Sequence, residues 1–343
     1  MLYTRRDLGK IALATIPLVH AQTKLNSKFG GVQIGAITYS FRGTNDLDAI
    51  IKMMVESGLS EVELMSDDAE RAAGAPRQSR GGPGRGAGKG PPAGGPPAAG
   101  PPTGGTPAAA PARAKGPRPP MTEDQIAAAR ARGEELRNWR LAVSMDKFKD
   151  VRKSFDAAGI DVQILCFNMT QAITDDEIDY AFQMAKALGA RAISCTTQVS
   201  VSKRTAPFAD KHRMMIGFHG HDATDDPNEF ATPESFATAM AYSKYHGVNL
   251  DIGHFTAGNY DPLPYIKLHH SSITNLHLKD RKKDHGKNVP WGEGDTPIKE
   301  VLLLMKKERY PIPANIEYEY GQPGMDAVTE MKKCVQYCRE VLA

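Results

Sequence analysis

From Val32 onward, short runs of β-branched and apolar residues alternate with longer stretches in which apolar positions recur every three or four residues. The first kind predicts buried strands and the second amphipathic helices, and their regular alternation is the pattern of parallel α/β structure. Eight strands are predicted, at residues 32–40, 61–65, 161–167, 190–196, 214–219, 249–252, 274–278 and 314–318. Helical stretches fall between them, among them 45–57, 175–188, 233–245 and 297–307, and 324–342 closes the chain. Gly58, Gly159, Gly189 and Gly247 each sit just before a strand, where a glycine ending a helix and a short loop are expected. Eight strands in this arrangement predict a (β/α)8 barrel. A doubly wound open sheet would give the same alternation, but no strand is followed by a glycine-rich phosphate turn.

Two segments break the pattern. Residues 72–120 hold 13 Gly, 13 Pro and 12 Ala and no acidic residue. Such a stretch cannot bury enough apolar surface to offset the entropy of ordering it, and is expected to be a disordered or polyproline-like insert after the second strand. At the N-terminus, Arg5 and Arg6 precede an apolar run, Ile11 to Val19, and the small residues around Ala21. That run is too short to span about 30 Å of hydrocarbon. Residues 1–21 read as an export signal, and Thr4-Arg5-Arg6-Asp7-Leu8 resembles a twin-arginine motif. A periplasmic or secreted protein is therefore expected, with no integral membrane segment once the signal is removed.

Without these segments, 273 of the 343 residues remain for residues 22–343 to form one barrel domain, close to the roughly 250 typical of the fold. The insert takes seven of the 43 basic residues, leaving 36 against 40 acidic. Nothing in that mildly acidic remainder indicates a nucleic-acid partner. Four cysteines are too few for a disulfide framework; Cys166 and Cys195 lie in apolar runs, and Cys334 and Cys338 are one helical turn apart, so buried thiols are expected. The sequence leaves a homo-oligomer open.

The candidate chemistry lies at the ends of the last four strands. The fifth ends at His219 with His221 and Asp222 behind it, the sixth at Asp251 with His254, the seventh at His277 with Lys279 and Asp280, and the eighth at Glu317 with Glu319. Imidazoles and carboxylates without thiolate suit one divalent ion such as Mn, Co, Zn or Fe, and are too nitrogen-rich for Ca. His219, with an ordinary pKa near neutrality, is a candidate base as well as a ligand. Lys279 and Arg281 are candidates for holding an anionic group. Glu63, at the end of the second strand, Trp291, in a glycine-rich loop, and His221 are candidates for the substrate pocket; a structural hydrogen bond is the other reading of Glu63, and plain packing that of Trp291. Tyr39 and Phe41, alternating at the end of the first strand, are compatible with an aromatic wall.

The segments Gly217 to Asp222, Leu250 to His254, Leu276 to Arg281, Trp291 to Asp295 and Ile316 to Glu319 together resemble the xylose isomerase-like TIM barrels, the sugar phosphate isomerase/epimerase family. The resemblance runs from about Val32 to Leu342, leaving out the insert. It implies Asp251, His277 and Glu317 as metal ligands and His254 as a substrate contact. It also implies proton abstraction next to a sugar carbonyl, with Glu317 as a catalytic carboxylate. The chain departs from the family at the fifth strand: His219 stands where the epimerases have a second catalytic glutamate. The expected activity is a metal-dependent isomerase or epimerase of a non-phosphorylated sugar or keto-sugar. The alternatives are a lyase or dehydratase that opens a keto-glycoside by the same enolate chemistry, and a non-catalytic carbohydrate-binding barrel.

Overall fold

A computed structural model describes residues 25–76, 122–321 and 325–343; residues 1–21, expected to be an export signal, and residues 77–120 of the insert lie outside the described residues. A short strand β1 (Lys28–Phe29) turns back through Gly30 and Gly31, both with positive φ, and pairs antiparallel with β2 (Val32–Ile37). Two left-handed glycines make the tight hairpin turn whose twist matches the strands. Next come α1 (Leu47–Glu56), β3 (Glu61–Met65) and α2 (Ser66–Ala72), then α3 (Glu123–Ala142) and α4 (Asp146–Ala157) ahead of β4 (Asp161–Cys166). α5 (Asp175–Ala187), β5 (Ala192–Cys195), α6 (Val199–His212), β6 (Met215–His219), α7 (Pro233–Met240) and β7 (His246–Asp251) continue the alternation. After α8 (Ile252–Ala257) and α9 (Pro262–His269), β8 (Ile273–Leu278), α10 (Ile298–Glu308), β9 (Ala314–Ile316) and α11 (Ala327–Leu342) complete the chain.

From β2 to β9 each strand is parallel to the next, and β2 pairs with β9 through Ile34 opposite Ala314 and Ala36 opposite Ile316. The eight strands thus close into the expected barrel. Their outward residues, such as Val62, Ile193, Phe218, Leu250 and Leu276, are buried under the helices. The interior is unusual for a barrel of this kind, which is ordinarily filled with branched aliphatics. Glu61, Glu63, Ser194, Asn249, Asn275 and Asn315 occupy it, all fully buried. Gly35 makes room: a Cβ there would overlap the Glu61 carboxylate, which accepts from Asn315 at 2.6 Å.

Several local expectations need correction. The first strand ends at Ile37, and Thr38–Phe41 is a 3-10 turn rather than extended wall. Side chains there take over backbone partners: Thr38 Oγ1 accepts from Met65 N, and Ser40 Oγ accepts from Tyr318 N and donates to Ile316 O. Gly58, Gly159 and Gly189 have the left-handed φ expected after a helix. Gly247 does not; it lies inside β7, where a Cβ would collide with Ser272 O. The insert lies where expected, between the second and third barrel strands, with α2 ahead of it. All four cysteines are free and buried.

In two helices the helical pattern is weak or overlaid by other signals. α3 has no buried residue and is tied down by charge: Arg140 meets Glu70 at 2.7 and 3.0 Å and Glu177 at 3.1 Å, and Tyr180 also donates to Glu70. α6 opens with Val199-Ser200-Val201-Ser202, an alternation of period two, and contains Pro207. Among the described residues no helix is long and apolar enough to cross a membrane.

Candidate functional site

The parallel sheet delivers one side chain from each of its last four strands to a single point. His219 and Asp251 are the last residues of β6 and β7, His277 is next to last in β8, and Glu317 follows β9. The ladder sets their heights, with Asp251 opposite His277. His219 Nε2 is 3.0 Å from His277 Nδ1 and 3.5 Å from Asp251 Oδ2, and His277 Nδ1 is 3.0 Å from Glu317 Oε2. All four donor atoms lie within 4.8 Å of one another, and all four residues are buried.

The local structure fixes each group. Asp251 caps α8, its Oδ1 accepting from His254 N at 2.8 Å, which turns Oδ2 into the cluster. That Oδ2 is buried and has no hydrogen-bond partner. Lys279 runs alongside, its ammonium 3.0 Å from Asp251 Oδ2, 2.9 Å from Glu317 Oε2 and 2.8 Å from Glu319 Oε2, with no well-aligned hydrogen bond to any of them. A carboxylate oxygen with an ammonium beside it but no well-aligned hydrogen bond, two imidazole nitrogens and a second carboxylate, all converging, make a donor set that fits a divalent transition ion. Glu319 lies outside the four-residue group; its partners are Lys279 and Asn288.

Charge and burial act in opposite directions on these groups. Burial alone would raise the Asp251 and Glu317 carboxyls, but Lys279, with His254 and His219 at Asp251 and with His277 at Glu317, holds both well below the usual range. Burial pushes His219 down to about 3, against the pull of Asp251, so its imidazole is neutral at pH 7. His277 goes the other way: burial disfavours its charge, yet Glu63 and Glu317 on its two sides push it well above its ordinary value. In the metal-free protein His277 therefore carries a proton that a metal must displace from Nδ1. Because that pKa is raised, its contribution to stability is complete below about pH 6.5 and is lost as the pH rises through the shifted value. Metal affinity is expected to rise over the same window. Chelator-buffered zinc titrations at pH 6 and pH 8 check this, and equal affinities would contradict it.

Around this centre the structure redistributes the remaining candidates. Glu63 is fully buried beneath the cluster, accepting from His277 Nε2 at 2.6 Å, so it is not a pocket-lining residue. Arg281 is committed to a two-pronged pair with Asp222, at 2.7 and 3.0 Å, and to Gly286 O, which leaves little of its guanidinium for a substrate anion. Trp291 packs edge-on against Tyr337 of α11 and, among the described residues, makes no ring contact or hydrogen bond with the cluster. His254 lies beside the cluster: Asp222 and Arg281 engage its Nδ1, and Nε2 is 3.9 Å from Asp251 Oδ2. Burial and Lys279 both lower its pKa. His221 stands beside it, ring centroids 5.2 Å apart, and 4.9 Å from the His219 ring. Asp222, named at the end of the fifth strand but given no role there, holds both His254 and Arg281.

The family model of xylose isomerase-like TIM barrels matches residues 124–341. No curated protein matches the chain. Among solved structures, the probable 3-DHS dehydratase AsbF of Bacillus anthracis is 11% identical with a TM-score of 0.56, over 89% of this chain and 98% of that one. A sugar phosphate isomerase/epimerase from Parabacteroides distasonis is 13% identical with a TM-score of 0.54, over 91% and 96%. The IolI protein with a bound zinc atom is 11% identical with a TM-score of 0.56, over 91% and 99%. At these identities the likeness is one of fold. With most of its length matched by the family model, and with the closed barrel in place, the chain belongs to the xylose isomerase-like TIM barrel family.

Proposed function

We propose that this protein is a divalent-metal-dependent isomerase or epimerase that acts on a non-phosphorylated sugar or keto-sugar by removing a proton next to a carbonyl. The observation that carries this reading is the convergence of His219, Asp251, His277 and Glu317 at the strand ends of a xylose isomerase-like barrel. A zinc atom in the IolI protein and the isomerase/epimerase from Parabacteroides distasonis support it. The preference for unphosphorylated substrates, and a periplasmic or secreted location, both rest on reading residues 1–21 as an export signal.

A divalent ion held by these four residues would polarise the sugar carbonyl and anchor a neighbouring hydroxyl. Lys279 keeps Glu317 ionised, so its carboxylate is in the form that accepts the carbon-bound proton, at the cost of some basicity. His219 serves as a ligand, since its Nε2 faces the other three donors. His254, with Nδ1 engaged, presents Nε2 on the Asp251 side and contacts substrate there, returning or relaying a proton. His221 lines the same side, and Lys279 supplies positive charge against a developing enediolate.

A second reading, elimination by a lyase or dehydratase, is favoured by one feature. The group 4.0 Å from Glu317 Oε2 at the β6 position is a neutral imidazole rather than a carboxylate. Epimerisation moves protons on both faces of the sugar, whereas elimination takes one proton and releases a leaving group. The probable 3-DHS dehydratase AsbF, which shares the fold, is named for an elimination of this kind. Metal-replete protein incubated with keto-sugars and 3-keto-glycosides in heavy water separates the two. Deuterium at the carbon next to the carbonyl, with an epimer or isomer formed, supports the first. A released aglycone and an unsaturated sugar support the second. Tight carbohydrate binding with neither product would contradict both and favour a non-catalytic barrel.

A further inference from the structure

The interior carboxylate of Glu63 has no part in the roles assigned above, yet its surroundings are highly organised. It projects from β3 into the barrel and collects donors from three other strands. Ser194 Oγ of β5 donates to Oε1, Asn249 Nδ2 of β7 lies 3.4 Å from the same oxygen, and Asn275 Nδ2 of β8 donates to Oε2 at 2.8 Å. The fourth donor is His277 Nε2, 2.6 Å from Oε2, with both side chains almost wholly buried. Asn249 Nδ2 is also 3.2 Å from His277 Nε2, but the shorter contact to a carboxylate decides that this nitrogen carries the proton. A ring held by Nε2–H has only one way to face, with Nδ1 toward His219 and Glu317.

We infer that Glu63 is the positioning residue of the metal centre: it fixes the orientation and tautomer of His277, so that Nδ1 is presented to the ion and its basicity is enhanced. The inference rests on the metal reading above. Carboxylates behind ligating histidines raise metal affinity about 10–100-fold. Glu61 provides the internal control. It is two residues earlier on the same strand and the same inward face, equally buried, and bonded to Asn315 with no contact to His277.

The test compares wild type, Glu63→Gln and Glu61→Gln, each stripped and titrated with Co(II) against a competing chelator, while the cobalt absorption band is recorded. Thermal melts establish that each variant is folded. The expected result is one Co(II) per chain in all three, with affinity weakened about 10–100-fold and the band shifted only in Glu63→Gln. If wild type binds Co(II) and Glu63→Gln matches it within twofold, or if Glu61→Gln is weakened as much, Glu63 only fills the barrel and the inference falls while the metal reading stands. If wild type binds no Co(II), the metal reading fails and takes this inference with it.

Discussion

Lys279→Met is expected to destabilise the metal-free protein by about 3–5 kcal/mol, the usual cost of removing one partner from a buried charge group. The side chain is almost wholly buried, and its ammonium is the shared counter-charge of Asp251, Glu317 and Glu319. Methionine keeps the stem and its packing but leaves three carboxylates facing one another. A divalent ion would replace part of the lost charge. In excess of its dissociation constant by about 100-fold it would return roughly 2.7 kcal/mol. Urea unfolding in chelator and then in excess zinc measures both effects. A variant as stable as wild type in chelator would mean that the ammonium is not what holds these carboxylates.

Glu317→Gln is expected to lower kcat by about 10²–10⁴-fold in excess metal, the range for losing a general acid or base. Glutamine preserves the size and one oxygen, so the fold and some metal binding should survive. Glu319→Gln should cost far less, because that carboxylate sits outside the four-residue group with Lys279 and Asn288 as its partners. Equal losses in the two variants, measured as kcat on whichever substrate the heavy-water screen identifies, would overturn the assignment of Glu317 as the base.

The barrel was legible because its strands are short, apolar and regularly spaced. Three of the four marked glycines ended helices in the left-handed conformation. Helices that dock by charge were not legible: α3 is held by Arg137 and Arg140 and shows no apolar stripe. The four-residue cluster was legible residue by residue, because each member lies at or next to the end of a strand. Its support was also written in the chain but went unread, as polar pairs two residues apart: Glu61 and Glu63, Asn249 and Asp251, Asn275 and His277, Asn315 and Glu317. In a strand, such pairs share a face. The upper member of each reaches the cluster or the ring behind it, and the lower lies deeper in the barrel. What a linear pattern does not carry is which charge satisfies which. Arg281 is taken up by Asp222, and Glu63 turns inward to His277.

The metal centre is tested most directly by elemental analysis of protein purified without chelator or affinity metal, with His277→Ala alongside. The expected result is about one Mn, Co, Zn or Fe per chain in wild type, lost in the variant, since His277 Nδ1 is central to the cluster. A wild-type protein that holds no metal and takes none up on titration would contradict it, as would a His277→Ala variant that retains as much as wild type.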